Sequence, residues 1–114
     1  MATLDNLKKN KKYSFIGNKS GSSIITFDAT NYEEIFVIVC YKNALNLSIT
    51  IPIIALSDAT KTFNIGGYYT HIQGDNVRSL QVNVNLSKKQ CSIASAIINN
   101  ENNINDCEIS LYAK

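Results

Sequence analysis

Tryptophan is absent from this chain, histidine and proline occur once each, and only three cysteines and nine carboxylates are spread over 114 residues. Each scarcity removes something. With His71 as the sole histidine, any Ser/His/Asp or Cys/His arrangement has to be assembled around that one residue. A lone histidine beside tyrosines is more often a surface or interface residue. The carboxylates do not pair usefully, because Glu33 and Glu34 are adjacent and would point to opposite faces of a strand. Asp75, Asp106 and Glu108 sit in or beside turns, where an aspartate needs no further explanation. No phosphate-binding glycine loop, zinc motif or calcium loop appears. The expectation is a protein without catalytic machinery, metal or cofactor.

The cysteines Cys40, Cys91 and Cys107 are odd in number, lack metal-ligand spacing and lie within apolar strand patterns. Reduced core thiols are the expected state, and a Cys91–Cys107 bridge is the alternative, for which sequence cannot supply the required geometry. No lysine-flanked apolar run marks a signal peptide, and no segment approaches the ~20 apolar residues that span a bilayer. Synthesis in the cytoplasm without membrane insertion follows as the expectation.

Net charge is +2 and unevenly placed, with Lys8, Lys9, Lys11 and Lys12 clustered near the start. Such a cluster can hold nucleic acid, but it lacks the interleaved aromatics of a stacking platform. It reads as a solvated tail or short helix over 1–12, with no nucleic-acid partner, followed by one domain over 13–114.

What the chain does have is β-forming residues. Isoleucine, valine, threonine and tyrosine are plentiful, and asparagine supplies turns. Ser79 to Leu86 alternates strictly, with Leu80, Val82, Val84 and Leu86 on one face. Leu47, Ile49, Ile51 and Ile53 repeat the period, and Pro52, unable to donate to a ladder, should lie at a strand end or sheet edge. A last hairpin is expected with Cys91, Ile93 and Ile97 inward on one arm and Cys107, Ile109 and Leu111 inward on the other. Shorter strands are predicted near Tyr13 to Ile16, Ser23 to Phe27, Thr62 to Ile65 and Tyr68 to Ile72, with a turn over Gly17 to Ser22 and a bulge or corner at Gly66-Gly67. About eight strands at short spacing predict an all-β, antiparallel β-sandwich, jelly-roll-like in type.

One strand breaks the alternation: Ile35-Phe36-Val37-Ile38-Val39-Cys40 is apolar on both faces. One face serves the core, and the other needs a cover, either from within the chain or from a neighbouring subunit. The neighbouring subunit is preferred, which makes Phe36, Ile38 and Cys40 the expected oligomer interface. Tyr68, Tyr69 and His71 form a candidate carbohydrate-binding surface, against the plainer reading that one tyrosine packs in the core and the other caps a strand.

The succession Ile25-Thr26-Phe27-Asp28-Ala29-Thr30-Asn31-Tyr32-Glu33-Glu34-Ile35, then Ile51 to Leu56, then Thr62-Phe63 with Gly67-Tyr68-Tyr69, and the ending Ile109-Ser110-Leu111-Tyr112-Ala113-Lys114 resembles the C-terminal domains of tail-fibre and minor structural proteins of phages and prophages from low-GC gut bacteria. The likeness covers about residues 23 to 114. It implies a non-enzymatic virion protein, a fibre-tip or capsid-decorating domain. Such a domain would be homotrimeric, assembled with other virion proteins and in contact with the host surface, where a glycan is a candidate partner. The alternative is a monomeric carbohydrate-binding module.

Overall fold

The computed structural model describes residues 12–42, 45–70, 77–98 and 101–114, leaving aside the side chains of 45, 67–70, 77–80 and 98. Among the described residues nine strands build two antiparallel sheets that face each other across one core, so the chain is an all-β sandwich. The first sheet has the order β1-β9-β3-β4, from Ser14–Ser20, Cys107–Ala113, Glu34–Tyr41 and Leu45–Pro52. The second has the order β2-β7-β6-β5, from Ile25–Thr26, Gln90–Ile98, Val77–Leu86 and Lys61–Thr70, with β8 (Glu101–Asn102) added to β7. First and last strands lie side by side, as in a jelly-roll wrap, while β3-β4 and β5-β6 pair as local hairpins.

Alternation places the core. Ile35, Val37 and Val39 of β3, Ile109 and Leu111 of β9, and Val82, Val84 and Leu86 of β6 are fully buried. Pro52 ends edge strand β4 opposite Glu34, where its missing N–H costs the ladder nothing. The chain turns at Gly21, whose φ of 63° is the left-handed region open to glycine, and its N–H donates to the Cys107 carbonyl at 2.9 Å. Between β6 and β7 the buried Ser87 hydroxyl accepts from the N–H groups of Lys89 and Gln90, both at 3.1 Å.

Four local expectations are corrected. The segment from Gly17 to Ser20 is strand rather than turn; β1 pairs with β9 down to Ser20 opposite Glu108, with a register shift between Phe15 and Gly17. Gly66-Gly67 is neither bulge nor corner, since β5 runs straight through, opposite Gln81 and Leu80, and joins two predicted strands into one. Ile97 is not an inward position: Asn83 pairs with Ser95 but Val84 with Ile93, so Ala94 is the extra residue of a bulge that moves the core phase to Ala96. The last hairpin does not form. After β8, the 3₁₀ turn Ile104–Asp106 carries the chain across, and β9 inserts between β1 and β3 of the opposite sheet.

All three cysteines are free, with Cys91 and Cys107 buried in different sheets. Burial pushes the Cys91 thiol up to about 12. Cys107 is also raised, by burial first and then by Asp106 and Cys40, and its thiol donates to the Asn103 carbonyl at 3.6 Å. No described helix is long and apolar enough to cross a membrane. The tail expected over 1–12 lies, apart from Lys12, outside the described residues.

Candidate functional site

The outer face of the first sheet is where the doubly apolar strand declares its second side. Phe36, Ile38 and Cys40 alternate with the buried Ile35, Val37 and Val39 and are half-buried. Their cover comes partly from within the chain. Register puts Phe15, Tyr112 and Phe36 in one row across β1, β9 and β3. Ring centroids are 5.5 Å apart for Phe15–Tyr112 and 6.3 Å for Phe36–Tyr112, and Tyr13 lies 5.6 Å from Phe36. Offset and edge contacts at these separations are favourable for aromatic pairs.

The cover is incomplete. Phe15 remains 60% exposed and Tyr13 37%. The next row continues with Ile38 beside Ser110, which accepts from Asn18 Nδ2 at 2.9 Å, and then with Cys40 beside Glu108. One border carries charge that is internally neutralised: Lys114 Nζ is 2.9 Å from Glu34 and 4.7 Å from the Tyr13 ring centroid. The lysine is raised above its ordinary value, chiefly by the hydrogen bond to Glu34.

Sequence reasoning found Phe36, Ile38 and Cys40 but missed Tyr13, Phe15 and Tyr112. The signal was present: Tyr13 and Phe15 alternate with Ser14, and Tyr112 lies between Leu111 and Ala113 in the outward phase of β9. Only the wrap that makes β1 and β9 neighbours brings them to Phe36.

The second sheet presents a different outer face. Thr62, Asn85 and Ser92 form one row across β5, β6 and β7, and Asn64, Asn83 and Ser95 the next. Thr62 Oγ1 donates to Asn85 Oδ1 at 2.8 Å, Asn64 Nδ2 to Asn83 Oδ1 at 2.9 Å, and Asn83 Nδ2 to Ser95 Oγ at 3.0 Å. Tyr68 and Tyr69 occupy successive positions of β5, opposite Ser79 and Arg78. His71 lies outside the described residues.

Two adjoining clefts, of about 490 Å³ and about 310 Å³, open at one end of the sandwich around Asp28, Thr30 and Lys89. Local structure accounts for Asp28 there. Asp28 caps the 3₁₀ turn Ala29–Asn31, accepting from the Thr30 N–H at 2.9 Å and from its hydroxyl, and these bonds hold its carboxyl below the usual range. Among the described residues no group of three His, Cys, Asp or Glu side chains is placed to hold a metal ion. Comparison with known proteins returns no matching family model, curated protein or solved structure.

Proposed function

We propose that this chain is a non-enzymatic structural domain of a phage virion, at a fibre tip or on the capsid, and that it self-associates through the outer face of its first sheet. The observation that carries this reading is the partly covered aromatic row Phe15–Tyr112–Phe36, flanked by Tyr13 and continued by Ile38 and Cys40. An aromatic face left this open is characteristic of protein interfaces. The occupant is a second copy of the chain. Around a threefold axis the face meets neighbouring copies of the same chain, which is tolerable here because the bordering Lys114 and Glu34 already neutralise each other. The resemblance to tail-fibre domains supplies the virion setting, the trimer and the contact with a host surface.

Sedimentation of the whole chain at micromolar concentration tests the reading. The wild type should associate, and Phe15→Asp and Ile38→Asp should give folded monomers. A strictly monomeric wild type would remove the interface. A second reading, a carbohydrate-binding module, is favoured by one observation, the uncharged amide face of the second sheet.

A further inference from the structure

We infer that the outer face of the β5-β6-β7 sheet binds a neutral polysaccharide, a surface independent of the self-association proposed for the other sheet. The first argument is composition at fixed positions. The rows Thr62–Asn85–Ser92 and Asn64–Asn83–Ser95 are followed by Gly66, Gln81 and Ile97, and none of these positions carries a charge. Lys61, at the start of β5, donates instead to the Ala55 carbonyl at 3.3 Å. The missing cations speak against nucleic acid and acidic polymers, which need phosphate- or carboxylate-pairing groups. Without aromatic or arginine anchors in these two rows, a protein partner is disfavoured as well.

The second argument is preorganisation. Asparagine is disfavoured within strands, yet three are neighbours on one sheet face, two on β6 and one on the edge strand β5. Their hydrogen bonds fix which end of each amide faces which neighbour. Asn83 is engaged at both ends. Asn85 accepts through Oδ1 and Asn64 donates through Nδ2, so Asn85 Nδ2 and Asn64 Oδ1 make no hydrogen bond to another described residue. A fixed donor and a fixed acceptor on one face suit sugar hydroxyls, which act as both. Little side-chain entropy is then lost on binding.

The third argument is Gly66. Among the described residues a Cβ there would meet only Asn64 Oδ1, at an ordinary 3.5 Å, and its φ is not left-handed. Neither packing nor backbone demands glycine. Its effect is to keep the face low between Gln81 and Asn64, leaving a flat strip roughly 10 Å across three strands and 13 Å along them. A few sugar units of an extended neutral chain fit such a strip.

Affinity electrophoresis of the full chain through gels containing a neutral glucan, a mannan or a galactan tests the inference, with an anionic polygalacturonate gel as contrast. Retardation by at least one neutral polymer, and none by the anionic one, is expected. Asn83→Ala should weaken it about tenfold or more. Since Asn83 also supports the sheet, Gly66→Val is the second variant: it adds a β-branched residue that strands favour, fills the strip and should weaken retardation equally. Sedimentation of the same variants reads self-association separately. No retardation by any neutral polymer, equal retardation by polygalacturonate, or retardation untouched by Gly66→Val would overturn the inference.

Discussion

Phe36 and Tyr112 stand opposite each other on β3 and β9, ring centroids 6.3 Å apart, on the side of the sheet that faces away from the core. The same strand therefore serves two environments, and its two isoleucines separate them. Ile35 is fully buried, whereas Ile38 is half-buried on the outer face.

Ile35→Ala should cost about 2–5 kcal/mol of folding stability, as for other buried large-to-small changes. Ile38→Ala in dilute, monomeric protein should cost less than about 1.5 kcal/mol, since only part of its surface leaves water. Urea unfolding of both variants measures the difference. Equal losses would mean that the outer face is packed as tightly as the core.

Ser87 is a buried polar residue whose hydroxyl accepts two backbone N–H groups in the β6–β7 turn. Ser87→Ala strands both donors and should destabilise by about 1–3 kcal/mol. Ser87→Asp restores an acceptor but buries charge. It should rescue less than Ser87→Thr in thermal melts.

Two glycines should respond in opposite directions. Gly21→Ala places a Cβ at φ 63° and 3.4 Å from Asn105 Oδ1, so it should lose about 1–2 kcal/mol. Gly66→Ala makes an ordinary contact, 3.5 Å from Asn64 Oδ1, on a strand backbone without a left-handed φ, and should be neutral or gain up to about 1 kcal/mol by restricting the unfolded chain. Differential scanning calorimetry of the pair checks both signs.

The alkaline limb of stability should belong to Cys91 and Cys107 and then to Lys114. The Cys91 thiol, ordinary at 9.0 when unfolded, is pushed up to about 12 in the fold. Below 9.0 both states are neutral; above it the unfolded chain ionises first, so stability falls as pH climbs toward about 12. Lys114 is also raised, so its contribution is complete below 10.5 and is lost above that. Cys91→Ala should make the slope between pH 9.0 and 10.5 shallower in melts followed by circular dichroism. In native protein, iodoacetamide should label Cys40 before Cys91. Asp28 acts at the other end. Its lowered carboxyl stabilises the fold above the ordinary carboxylate range, and that contribution disappears as acid protonates it.

How far the fold could be read from sequence depended on whether the relevant contact was local. The alternation from Val82 to Leu86 names its own buried face, and the terminating Pro52 names its own strand end. Ile97 was misplaced because a bulge at Ala94 shifts the phase without any glycine or proline to announce it. The role of β9 was misread for a related reason. The asparagine-rich stretch from Asn99 to Asn103 carries strong turn propensity, but propensity does not say whether a chain folds back or crosses to another sheet. The aromatic patch shows both limits. Phe36 and Ile38 were visible as an unexplained second face, while Tyr13, Phe15 and Tyr112 belong to it only through pairings that join the two ends of the domain.

That pairing of ends has a consequence for how the domain is made. The strand Cys107–Ala113 is the shared partner of β1 and β3, with Ser14 opposite Ala113. During synthesis β1 must wait, unladdered, until the last of these strands has left the ribosome. Only the β3-β4 hairpin of this sheet can close before then. Folding is therefore limited by contacts distant in the chain, a topology that usually places rates in the millisecond-to-second range. Throughout that wait, the apolar residues of β3 have no β9 to cover them, and nascent chains face their greatest risk of aggregation.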